Sequence, residues 1–158
     1  MTFFGTDFID NDASFNTKLR KGPQGAVYVE AVVADAAAAN VPLAVRQNGS
    51  TYYATALAAS EGYGYVGVEK DGAAVASGCL GWIQIRGAAS GVQAGAADVL
   101  CSQGHSIFWG AAALGASTSA YTMSYSSGQI GFSLADYGAG GCTTITMYFA
   151  GVLATPIA

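Results

Sequence analysis

The sequence predicts an all-β chain, a compact β-sandwich or barrel led by an extended N-terminal arm. Three observations carry the prediction. After Gly25 apolar residues alternate at period two, as in Val27, Val29 and Ala31 against Tyr28 and Glu30, the spacing of a half-buried strand. Eighteen of the 22 glycines fall between Gly62 and Gly151, where they punctuate strand ends and bulges. From Gly87 to Ala158 the only charged side chains are Asp98 and Asp136, although an ordinary stretch of that length would hold about eighteen. A surface so poor in charge is usually covered, most simply by copies of the same chain.

Residues 1–24 read as the arm. Phe3, Phe4, Phe8 and Phe15 stand among Asp7, Asp10 and Asp12, and Lys18, Arg20 and Lys21 follow before Gly22-Pro23. Neither strand nor helix period holds there, which suggests aromatic anchors on a tether; a terminal strand tucked onto its own domain is the alternative. The β domain is placed at 25–158.

Within it, Asn48-Gly49 between Val41–Gln47 and Thr51–Ala56 is a strong hairpin signal, because both residues tolerate positive φ. Val66 and Val68 make a short strand before the Lys70-Asp71-Gly72 turn. Ile83 and Ile85 share one face of the next strand, with Trp82, Gln84 and Arg86 opposite. Ile130, Phe132 and Leu134 are expected on one face, and the closing strand sets Ile145, Met147 and Phe149 inward against Thr144, Thr146 and Tyr148. Asp35 to Asn40, rich in Ala, is the one stretch suited to a helical turn. Many short strands with regular turns predict a sandwich or barrel.

At 158 residues and 15.9 kDa the chain is one domain's worth, large enough to bury a core without staples. Net charge is -4 with a pI near 4.6, a poor match to phosphate backbones, so no nucleic-acid partner is expected. Mean hydropathy is +0.36, yet the most apolar stretch, Ile107 to Ala116, is interrupted by Gly110 and Gly115 and falls well short of the ~20 residues that span a bilayer. No membrane partner is expected, and the N-terminus shows no basic region followed by an apolar one. Cys79, Cys101 and Cys142 are odd in number and far apart, which predicts free, buried thiols in a reducing compartment.

Catalytic patterns are weak. Gly62-Tyr-Gly-Tyr-Val-Gly67 matches a dinucleotide fingerprint by letter, but that motif needs a helix after it, and here a strand and a Lys-Asp-Gly turn follow. His105 is the only histidine, so sites needing two imidazoles are excluded. A triad drawn from His105, Asp98 or Asp136 and a serine has no Gly-x-Ser-x-Gly elbow. Glu61 and Glu69 could form a glycosidase pair only if the fold brought them together. No catalytic residue, metal site or cofactor is expected, and the chain is not read as an enzyme. Asn48-Gly49-Ser50 spells a glycosylation sequon but is read as a turn.

Trp82 and Arg86, in Gly81-Trp-Ile-Gln-Ile-Arg-Gly87, are residue types that dominate interface hot spots. With them, the arm residues Phe3, Phe4, Phe8, Phe15, Lys18, Arg20 and Lys21 form the expected partner interface.

The Gly81–Gly87 block, with its surroundings, resembles capsid decoration (cement) and head-fibre proteins, the small virion structural proteins of tailed bacteriophages. The resembling pattern runs from Pro42 through Thr51–Ala56 and Val66-Gly67-Val68 to the Gly81-Trp-Ile-Gln84 strand. It continues through the Gly95–Val99 turn and strand, Gln129-Ile130-Gly131 and Ala135, and closes with the Thr-rich strand from Thr143 to Val152. The resemblance implies a β-sandwich or β-tulip-like barrel that trimerises on a capsid lattice. The expected partners are therefore the major capsid protein and further copies of the chain as a homotrimer. The expected location is the virion exterior, after synthesis in the host cytoplasm. A rival expectation is a carbohydrate-binding or adhesin module of a phage fibre, with Tyr52, Tyr53, Tyr63, Tyr65 and Trp82 as stacking platforms.

Overall fold

The computed structural model describes residues 8–10, 18–49, 51–56, 64–93, 102–109, 114–116, 129–137, 143–151 and 153–154. Twelve strands follow in order: β1 (Phe8–Asp10), β2 (Lys18–Lys21), β3 (Val27–Val33), β4 (Leu43–Asn48), β5 (Thr51–Ala56), β6 (Gly64–Glu69), β7 (Leu80–Gln93), β8 (Ser106–Trp109), β9 (Leu114–Ala116), β10 (Gln129–Ser133), β11 (Thr144–Ala150) and β12 (Leu153–Ala154). A 3-10 turn at Pro23–Gly25 is the one helical element among the described residues. Asp35 to Asn40 forms bends and a bridge, not a helical turn: Ala37 exchanges two backbone hydrogen bonds of 2.9 Å with Val75. Those bonds tie the segment to a distant strand-like partner and leave it no helical ladder.

Strands β3, β5, β4, β6 and β7 close into a barrel. Each neighbouring pair is antiparallel except β3 and β5, which run parallel through Val32↔Tyr53 and Val33↔Ala54. The alternation seen in sequence fills the interior with Val29, Ala31, Val33, Leu43, Val45, Ala54, Ile83 and Ile85, all buried. Full burial of a Val, Leu or Ile side chain contributes about 1.5–3 kcal/mol, so these positions hold the barrel shut.

Strand β7 is 14 residues long and belongs to both halves of the molecule. Its first half closes the barrel against β3. Its second half pairs with β11, and the order continues β11-β10-β8-β9 into a second sheet. That sheet folds back over the outside of β4 and β6, burying Ala44, Val66, Val68, Val92, Ile107, Ile130, Ile145, Met147 and Phe149 in a second core. The chain is therefore a barrel and a sandwich sharing one strand. The change of direction falls at Gly87, whose φ of 102° is open to glycine. A Cβ there would also lie 2.9 Å from the Cα of Ala26. Gln84, buried beside this bend, donates from its amide nitrogen to the Ala88 carbonyl at 2.8 Å, which satisfies a carbonyl at the bend.

The segment read as an arm enters the sheet before its expected boundary at residue 24. Lys18–Lys21 is hydrogen bonded along β3 through Leu19↔Val29 and Lys21↔Val27, and β1 pairs with β2. Leu19 packs against the barrel core, and that burial draws the strand in.

Two β-bulges overturn two expected faces. In β7 the register steps from Tyr28↔Gln84 to Val27↔Arg86, so Ile85 is an extra residue and Arg86 no longer shares a face with Trp82. In β10 the register steps from Gln129↔Phe108 to Gly131↔Ile107. Ile130 is the extra residue, so Ile130 stays buried while Phe132 turns outward, 36% exposed, and Ser133 turns in. The closing strand follows its expected pattern, with Ile145, Met147 and Phe149 buried. The hairpin also forms: Asn48 pairs with Thr51 as the last residue of β4, and Gly49 takes positive φ, at 62°, while Asn48 does not.

Candidate functional site

His105, Asp136 and Glu69, the described members of the weak catalytic patterns, each bond to backbone. The Nδ1 of His105 accepts from the Ser102 N–H at 3.2 Å, and Asp136 accepts from the Gln103 N–H at 2.8 Å. Both therefore cap the same turn into β8. Glu69 accepts from the N–H groups of Asp71 and Ala73 at 2.8 and 2.9 Å, closing the turn after β6. Asp98 and Glu61 lie outside the described residues. Among the described residues no group of three or more His, Cys, Asp or Glu could hold a metal ion.

The dinucleotide-like letters belong to strand β6. A Cβ at Gly64 would strike the Val45 carbonyl oxygen, and one at Gly67 the Gln84 carbonyl oxygen. Close approach of neighbouring strands requires these glycines, and Gly62 lies outside the described residues. Cys79 is exposed, which corrects the expectation of a buried thiol. It follows the Ser77–Gly78 turn, where the chain runs over the surface before entering β7. Cys101 and Cys142 lie outside the described residues.

Of the expected partner interface, Phe3, Phe4 and Phe15 lie outside the described residues. Phe8 stands in β1 opposite Arg20, and Lys18 stands in β2 opposite Asp10. Arg20 and Trp82 meet: the guanidinium carbon lies 4.8 Å from the ring centroid. Trp82 is half-buried and sits opposite Glu30, while Arg20 sits opposite Tyr28. Arg20, Tyr28, Glu30 and Trp82 thus share the outer face of the β2-β3-β7 ribbon. Lys21 is exposed at the end of β2. Arg86 is exposed at one end of the barrel, beside Ile85 and away from Trp82.

The tyrosines expected as one platform divide. Tyr52 and Tyr65 turn toward the barrel interior and pack on its core. Burial, with Tyr65 beside it, holds the Tyr52 phenol above its usual pKa. Tyr53 points the other way, 38% exposed, and Tyr63 lies outside the described residues.

Sequence reasoning missed the outer face of the second sheet. Register places Ala88, Tyr148, Phe132 and Ser106 in one row across β7, β11, β10 and β8. The Phe132 and Tyr148 rings stack at 5.1 Å between centroids and 11° between planes. From Gly87 onward no strand of this sheet contains a charged residue. Tyr148 was legible as outward-facing from the alternation of its strand; Phe132 was hidden because its bulge arises only from pairing with β8.

Comparison with protein-family models, curated proteins and solved structures returns no match. No described helix is long and apolar enough to cross a membrane.

Proposed function

We propose that this chain is a non-catalytic virion structural protein that binds the outer surface of a bacteriophage capsid and stabilises it. The carrying observation is the uncharged outer face of the second sheet, with Phe132 stacked on Tyr148 at its centre. A broad face of apolar and small polar groups is costly to leave in water and suits burial against flat protein surfaces. On this reading the face forms contacts between copies of the chain, as a homotrimer. The cationic end of β2 at Lys18, Arg20 and Lys21, with the chain before it, meets the major capsid protein. The resemblance to decoration and head-fibre proteins supports the capsid as partner, and the occupation of His105, Asp136 and Glu69 by backbone groups supports a role without chemistry.

The test is co-sedimentation of the purified chain with undecorated phage capsids, alongside a variant lacking residues 2–17. That truncation keeps β2, whose Leu19 packs on the barrel core. Expected is saturable binding by the full chain and its loss in the folded truncation. A full chain that stays in the supernatant at every capsid concentration overturns the reading.

A further inference from the structure

We propose that the open end of the barrel is a binding site for a small apolar monoanion, an aryl or short-chain carboxylate. The site shares strand β2 with the proposed capsid-facing surface, through Leu19 between Lys18 and Arg20, but its chemistry does not rest on that reading.

The opening follows from the strand topology. β3 meets β5 only through Val32 and Val33, at one end of the barrel, while at the other end the same edge of β3 is taken by β2. The barrel therefore splays where β3, β5 and β6 begin, and a cavity of about 240 Å³ remains there. An engineered cavity of about 150 Å³ holds benzene, and pockets for drug-sized molecules begin near 300 Å³. The volume thus fits one substituted ring or a chain of about six carbons.

The chemistry of the walls selects the ligand. Leu19, Val29 and Ile85 make the sides apolar. Tyr52 and Tyr65 reach in from β5 and β6, and a neutral phenol donates a hydrogen bond. Burial and the neighbouring Tyr65 both favour the neutral form of Tyr52. Arg86 stands at the rim, displaced there by the bulge at Ile85. Its aliphatic stem crosses Gly151, where a Cβ would lie 3.1 Å from the arginine Cβ. Gly151 also has φ of 68°, so the link that seats the stem is open to glycine. No carboxylate of the described residues pairs with Arg86, and none lines the cavity. A guanidinium over an apolar hole with phenolic donors recognises one negative charge on an apolar body. A dianion would find one cation only, and a cation would meet none but the guanidinium.

The experiment titrates the full chain, with labelled methyl groups, against benzoate and against benzyl alcohol. Benzoate is expected to shift the Val29 and Ile85 methyl resonances saturably, in roughly the millimolar range that a ligand of so few atoms reaches. Arg86→Met keeps the stem and is exposed, so the fold should hold; it should weaken benzoate about tenfold or more and leave benzyl alcohol within about twofold. Tyr65→Phe should weaken benzoate by a few fold with the methyl shifts still centred on the cavity. Absence of benzoate shifts at these methyls overturns the site. Equal benzoate binding by the wild-type chain and Arg86→Met overturns the assignment of an anion.

Discussion

The Arg20 guanidinium carbon lies 4.8 Å from the centroid of the Trp82 ring, although the two residues belong to strands on opposite sides of β3. The contact bridges β3 and fastens the N-terminal strand to the one strand that both halves of the molecule share. A cation over an indole face contributes about 0.5–1 kcal/mol when exposed and about 2 when desolvated. Arg20→Met should therefore lower stability in a urea melt by roughly 0.5–2 kcal/mol and raise hydrogen exchange in β2 first. Trp82→Ala should cost about 2–3 kcal/mol, below the range for a fully buried Trp because the ring is half-buried. In the double variant the two losses should fall short of additive; strict additivity would show that the contact carries no energy.

Gly131 allows β10 and β11 to lie against each other. A Cβ at that position would run into the Tyr148 carbonyl oxygen and sit 3.1 Å from the Met147 methyl. Backbone cannot yield as a flexible side chain can. Gly131→Ala should cost about 1–3 kcal/mol in a denaturant melt, with chemical-shift changes spreading from β10 into β11. A change within about 0.5 kcal/mol, the range of surface sites, would contradict the close approach.

Phe132 is the test of the uncharged sheet face. Phe132→Asp places a charge in the row Ala88, Tyr148, Phe132 and Ser106 without touching either core. Sedimentation of the wild-type chain should show an oligomer, and the variant should move toward the 15.9 kDa monomer. A variant that sediments as wild type would remove this face from the subunit contact.

Tyr52 makes stability depend on alkaline pH. Burial, then Tyr65, raise its folded-state pKa above the ordinary value of 10.0. The unfolded chain therefore loses this proton first as pH rises. The contribution to stability is fully present below about 10 and is lost as pH climbs through the folded-state value. Tyr52→Phe should flatten that part of the stability profile, and it should remove a late-titrating component from the phenolate absorbance of the folded chain. Identical alkaline profiles for both chains would contradict the burial of this hydroxyl.

The sequence by itself determined the class of the fold and most of its inward residues. Ile145, Met147 and Phe149 are buried because alternation is a property of the backbone pleat, which each strand carries alone. The hairpin there was legible for the same reason, since the positive φ of Gly49 is a local requirement, although Asn48, expected in the turn, ends β4 opposite Thr51. The tertiary structure alone decided where that alternation breaks. The bulges at Ile85 and Ile130 exist because β3 and β8 pair there with a shifted register, and a strand's sequence does not record its partner's register. Those two steps carried Arg86 away from Trp82 to the barrel's open end and turned Phe132 out to meet Tyr148. Closure of the barrel was likewise invisible in sequence, because it rests on the parallel contact of Val32 and Val33 with Tyr53 and Ala54, some twenty residues further along the chain. Such non-local contacts are set only when the whole core assembles.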